Sequence, residues 1–408
     1  MNSNRKKYRR IRLIELFVLL CIIVLIMCLL FNVIRRRTLR LLQGNNKYID
    51  LAVDAKTKNS SNYTNVTSLD GIDVPVPSGF VASTINSERS VSSGFVIYEG
   101  IDPVPNDDTT EEGLKEIRKA QNSRNQFVWI PVSSELSNQL YRITDDGIIY
   151  ANRIEINNTN YSIDTSAVVE PVVSSNELDY GTATDIPLFN WRRGKTAEDM
   201  LSAYRQKFYE TMVSIKTYGG FYIARYESPL TINGELMSRR YVQYQRYDYA
   251  PFFKMYTSAL NMKKENECVD THIIWNVLWD CTQVRIAESG AATFANLINN
   301  SYGVSHGNCT NSSFTYYTLD TDYSLISHNK DGGTDTLIPT GSSDSTMVYN
   351  IFDMVGNYYE FSMSNKGANK DTTRGGVYTQ GNQQFNTSSE SIDKGGHEVA
   401  TRVILYIK

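Results

Sequence analysis

Val348-Tyr349-Asn350-Ile351-Phe352-Asp353-Met354-Val355-Gly356-Asn357-Tyr358-Tyr359-Glu360-Phe361 sets apolar and aromatic side chains around two acids, with one glycine where the backbone must turn. A segment of this kind can bury a stripe of side chains while lending oxygens to a cation. It predicts a core element and a site in one place, and Arg374-Gly375-Gly376-Val377 follows it closely.

Three more stretches belong with these two. They are Phe127-Val128-Trp129-Ile130-Pro131-Val132, Gly219-Gly220-Phe221-Tyr222-Ile223-Ala224-Arg225-Tyr226-Glu227 and Thr401-Arg402-Val403-Ile404-Leu405-Tyr406-Ile407-Lys408. Taken in order, the five resemble the formylglycine-generating enzyme family, also called sulfatase-modifying-factor domains, over roughly residues 120 to 408. The resemblance implies an α+β head of C-type-lectin-like fold. It also implies a structural calcium, with Asp353 and Glu360 as side-chain ligands and Gly356 and Tyr358 as backbone carbonyl ligands. Two carboxylates and two carbonyls this close in the chain can converge on a hard cation if Gly356 permits the turn. The same acids could instead cap turns or pair with arginines such as Arg374 or Arg402.

The activity of that family is less well matched. Its enzymes oxidise a sulfatase cysteine with two copper-binding cysteines that lie shortly after the Arg-Gly-Gly segment. The matching stretch here, Val377 to Val403, contains no cysteine, and Tyr378, Gln380, Gln383 and Gln384 cannot make a soft copper site. No copper is expected. The histidines His272, His306, His328 and His397 form no His-x-His or His-x-x-x-His pair, which argues against iron chemistry. Tyr359 and Phe361 stand where the family has tryptophans, and Ala400-Thr401-Arg402 stands for Gly-Phe-Arg. These changes keep the acid and the arginine but reduce buried ring area.

Cys268 and His272, His306 and Cys309, and Cys281 leave three readings open: a tetrahedral zinc site, one disulfide with a thiol left over, or reduced thiols. Cys21 and Cys28 fall in an apolar segment near the N-terminus.

That segment runs from Leu13 to Ile34, interrupted only by Glu15 and Asn32, and follows Arg5, Lys6, Lys7, Arg9, Arg10 and Arg12. Its length suits one membrane-spanning helix, and the larger basic excess before it places the N-terminus in the cytoplasm and the body outside. The expected divisions are a basic tail at 1–12, an anchor at 13–34, a stalk at 35–73 and a head at 74–408. Ile11-Arg12-Leu13-Ile14-Glu15-Leu16-Phe17-Val18 also resembles the N-terminal helix of type IV pilins and pseudopilins, with Glu15 at the fifth position counted from Ile11. Arg10 stands where that family has glycine. A pilin-derived anchor and a plain signal anchor with a snorkelling glutamate both remain open.

A net charge of −3 and a pI near 5.9 leave no electrostatic footprint for nucleic acid. The 27 tyrosines would suit an extracellular binding surface, although A/T-rich codon usage would produce them too. Within the head, apolar spacing predicts helices over Ala197 to Thr217 and His272 to Glu288, composition predicts one over Glu111 to Ser123, and Phe253 to Lys263 is expected as a further short helical stretch. Strands are expected at Ser93 to Tyr98, Asn125 to Pro131 and Phe221 to Tyr226, with a polar linker at Asn59 to Asp70. Residues 133–190 read as a loop-rich insertion and 299–346 as loops.

The expectation for function is a non-catalytic, membrane-anchored display module that binds an extracellular protein or glycan. In the resembled fold, the residues after the Arg-Gly-Gly strand form an exposed face, which phage tropism proteins use for variable receptor binding. Here that face would comprise Tyr378, Gln380, Asn382, Gln383, Phe385, Asn386 and Glu390. The alternatives are a minor pilin-like subunit with the head as adhesive tip, assembled into a pilus-like structure, and a divergent oxidase with an unrecognised site.

Overall fold

The computed structural model describes residues 53–169, 197–231, 233–242, 252–365, 371–390 and 399–408. The basic tail, the anchor and the first part of the stalk lie outside these residues, and so does the pilin-like run at Ile11 to Val18. Among the described residues no helix is long and apolar enough to cross a membrane. The chain divides into two compact units. In the first, Met1–Ala52 with Ile143–Ile148, the described part is a turn in which Thr144 N–H donates to Ile148 O. The second, Val53–Arg142 with Ile149–Lys408, is the head.

The head is α+β. Its larger sheet has six antiparallel strands in the order Val269–Ile273, Val403–Ile407, Gly220–Ala224, Gln126–Pro131, Val96–Glu99 and Phe80–Ala82. Gly220–Ala224 and Val403–Ile407 are buried at every residue, which is why both read as unbroken apolar runs. Trp129 is buried against Tyr222, with ring centroids 4.9 Å apart. The helix Ala197–Tyr218 lies on this sheet and buries Met200, Tyr204, Phe208, Met212 and Ile215, as its three- and four-residue spacing predicts.

The second sheet has the order Ser228–Pro229, Val399–Thr401, Tyr359–Asn365, Asp371–Arg374 and Ser388–Glu390. Tyr359–Asn365 runs parallel to Val399–Thr401 and antiparallel to Asp371–Arg374, with Glu360 opposite Arg374. Ahead of it, Met347–Val348 and Ile351–Phe352 form a minimal hairpin. Tyr349 and Asn350 turn it with φ of 58° and 56°, the signature of a two-residue type I′ loop.

Several expectations are corrected. The helix predicted from His272 begins at Asn276, because Val269–Ile273 pairs with the last strand as the sheet edge. The alternation of Val269, Thr271 and Ile273 is a strand pattern, and the helical period masked it. The linker at Asn59 to Asp70 contains Tyr63–Thr67, which pairs with Asp73–Pro77, so the head begins by Val53 rather than 74. Among the described residues neither strand of that ribbon has a second neighbour, which agrees with prolines at 75 and 77 that cannot donate to a ladder. In the described part of 133–190, Ile149–Ile156 and Tyr161–Val169 form a hairpin packed on helix Asn276–Glu288. Another hairpin, Phe314–Leu319 with Leu325–Lys330, lies inside the expected loops of 299–346.

Candidate functional site

Two places collect the residues that could carry function: a buried charge cluster and an open cleft. The cluster joins three of the sequence stretches quoted above. Glu227 Oε1 accepts from Tyr358 N–H at 3.0 Å, and Glu227 Oε2 accepts from Asn357 Nδ2 at 2.6 Å. Glu360 meets Arg402, whose Nε donates to Oε2 at 3.2 Å and whose Nη2 lies 2.6 Å from Oε1. That second contact is an ion pair lying off the hydrogen-bond axis, since Oε1 gains no aligned donor. Arg402 also donates to three carbonyls: Ala224 O at 3.0 Å, Phe352 O at 3.0 Å and Asp353 O at 3.3 Å. All of these side chains are buried. Burial raises the Glu227 carboxyl well above the usual range, and nearby Asp353 and Glu360 push it further in the same direction.

The calcium ligand set can be tested against this geometry. Asp353 Oδ2 accepts from Gly341 N–H at 2.7 Å and Oδ1 from the Thr346 hydroxyl at 2.6 Å, so both oxygens hold the 341–346 turn. Glu360 faces a guanidinium. Gly356, at φ 75°, lets the backbone pass Asn308: a Cβ there would lie 2.0 Å from Asn308 O. Tyr358 gives its N–H to Glu227. As placed, the side chains do not form a calcium site, because a cation on Glu360 would sit against Arg402 and the Asp353 carboxylate is engaged with the 341–346 turn. Among the described residues, no group of three or more His, Cys, Asp or Glu side chains is arranged to hold a metal ion.

The cleft has a volume of ≈ 520 Å³. Its walls are the hairpin strand Ile149–Ile156, the start of helix Asn276–Glu288, and the strands Asp371–Arg374 and Ser388–Glu390. At its floor Arg374 Nη2 donates to Asp280 Oδ1, and both side chains are more than nine-tenths buried. Burial raises the Asp280 carboxyl, while Arg374 and Arg153 pull it back. Arg374 Nε and the Thr372 hydroxyl are buried without hydrogen-bond partners. Arg153 and Glu155 are exposed at the rim, two residues apart on one face of a strand. Ile154, Ile156, Val169 and Val277 supply an apolar patch.

The expected binding face is split between these surroundings. Asn386 lines the cleft, and the backbone of Glu390 lies in its wall strand. Phe385 is buried, its carbonyl accepting from Trp279 Nε1 at 3.3 Å and Gln283 Nε2 at 2.6 Å. Gln383 is also buried, donating to Gln380 Oε1 at 2.8 Å. Both belong to the core and not to an exposed face. Tyr378, Gln380 and Asn382 instead neighbour the 310–311 turn, where Thr310 N–H donates to Gln380 O at 2.9 Å and Thr310 Oγ1 to Tyr378 O at 3.2 Å. Arg153, Glu155 and Asp280 were missed by sequence reasoning. The alternating charges at 153 and 155 and an acid within a helix rich in apolar residues were the available signals.

Of the three readings left open for the cysteines, the structure has neither the disulfide nor the zinc site: Cys268, Cys281 and Cys309 are free thiols. Burial pushes the Cys309 thiol up to about 11 and raises Cys281 further. The zinc grouping is not assembled either. His272 is buried between Thr211 and Ile273 O, while His306 stacks on Tyr302 at 3.9 Å. No family model, no curated protein and no solved structure matches the chain.

Proposed function

We propose that the protein is a non-catalytic binding module of lectin-like fold, held at a membrane by residues 13–34 with its head outside, and that the cleft beside Asp280 and Arg374 takes its ligand. The observation that carries this reading is the lining of the cleft. Two arginines, Arg153 and Arg374, face two acids, Glu155 and Asp280, among amides, hydroxyls and a small apolar patch. Balanced charge favours no polyion, and mixed donors and acceptors beside aliphatic carbons suit a neutral polyhydroxylated ligand such as a glycan. Copper chemistry plays no part in it, since residues 377–403 offer no thiolate.

The test is a glycan-binding screen on the full chain in detergent, followed by titration calorimetry. Arg153→Ala and Asn386→Ala are expected to weaken binding at least about tenfold, the loss of one or two well-placed hydrogen bonds. Unchanged affinity in both folded variants would remove the cleft from the proposal, and copper-dependent conversion of a thiol substrate to an aldehyde would remove the non-catalytic reading.

A further inference from the structure

We infer that the Arg402 guanidinium is the resident cation at Glu360, one of the two expected carboxylate ligands of a calcium ion, and that the head holds no calcium there. The planar group of Arg402 reaches both oxygens of Glu360 and the carbonyls of Ala224, Phe352 and Asp353, an all-oxygen environment of the kind a hard cation takes. Those oxygens come from two separate stretches of the chain, so one side chain beside the final strand ties it to the Gly220–Ala224 strand and to the block at 352–360. Trp279 lies beneath, its ring centroid 5.8 Å from the guanidinium carbon, and closes the remaining face.

Asp353 turns its carboxylate away to Gly341 and Thr346. Its backbone carbonyl alone accepts from the guanidinium, and the carboxylate is directed to the 341–346 turn, away from Glu360 and Arg402. A covalently attached cation also needs no supply from solution, so the head keeps this joint whatever the calcium concentration outside the cell.

The experiment uses the full chain in detergent, unfolded by heat with excess EDTA or with calcium, together with elemental analysis of the desalted protein. The expected results are midpoints that agree within about 1 °C, since an ion that does not bind the native state adds no stability, and calcium far below one per chain. A raised midpoint in calcium, or stoichiometric calcium in the desalted protein, overturns the inference. Arg402→Ala removes the guanidinium and leaves the acids, and its midpoint should rise by several degrees on adding calcium. A folded Arg402→Ala protein indifferent to calcium would also overturn the inference. Should Arg402→Ala not fold, the unmutated protein's calcium response decides the matter alone.

Discussion

Gly356 sits in a run of left-handed residues, with Asp353 at φ 57°, Gly356 at 75° and Asn357 at 58°. Each non-glycine member is retained by bonds its side chain makes. Asn357 donates to Glu227 and accepts from Asn308 Nδ2 at 2.9 Å and from Ile338 N–H at 3.2 Å, while Asp353 accepts from two donors. Gly356→Ala combines a strained φ with a backbone clash, and should lower stability by at least about 2 kcal/mol in a denaturant titration. His272 provides a pH signature. Its Nδ1 donates to Ile273 O at 2.6 Å and its Nε2 meets Thr211 at 2.8 Å; burial lowers its pKa from 6.5 to about 4, against the opposing pull of Asp270 and Glu210 and with Lys207 reinforcing it. The unfolded imidazole takes a proton below pH 6.5 that the folded one refuses until near 4. Stability from this group is therefore full above pH 6.5 and lost as pH falls toward 4, by about 3 kcal/mol for a gap of that size. His272→Gln should flatten the thermal midpoint over that window, and an unchanged slope would contradict the assignment.

Among the elements, helix Ala197–Tyr218 and helix Asn276–Glu288 do different work. The first presents an apolar stripe to the sheet, and Phe208 within it meets Trp275 with ring centroids 4.5 Å apart. Phe208→Ala should cost about 3–5 kcal/mol, read as a drop in denaturation midpoint, because the surrounding strands cannot collapse onto the space. The second is buried on almost every side and carries Asp280 to the cleft floor. Hairpin 149–169 contributes one cleft wall, with Arg153 and Glu155 exposed and Asn152, Ile154 and Val169 buried. Replacing Arg153 and Glu155 together by alanine should leave the thermal midpoint nearly unchanged, within about 0.5 kcal/mol as for most exposed sites, and abolish ligand binding.

For the whole molecule, the decisive expectation concerns attachment. If residues 13–34 span the bilayer with the N-terminus inside, the full chain should resist alkaline extraction from membranes. Protease added outside intact cells should digest the head while sparing a tag placed before Met1. Release by alkali, or protection of the head, would overturn the proposed placement.

Much of the scaffold was legible from local pattern alone. Helix Ala197–Tyr218 and the buried strands at 126–131 and 220–224 announce themselves because each buries one face, or both, and its apolar pattern records that burial; helix Glu111–Ser123 is read from composition, and the strand at 403–407 comes with the resemblance alone. The block at 348–361 likewise announced buried acids beside a forced turn. Sequence reading names arginine pairing, with Arg374 or Arg402, and turn capping as alternatives for the two acids, but cannot choose that Glu360 will meet Arg402 while Asp353 turns to Thr346, nor foresee that Asp280 will pair with Arg374 under a hairpin from residues 149–169. Charge partners are chosen by which strands become neighbours, and that choice follows from how two sheets bury their common core. The acids were written into the chain, and folding decided which cation each would receive.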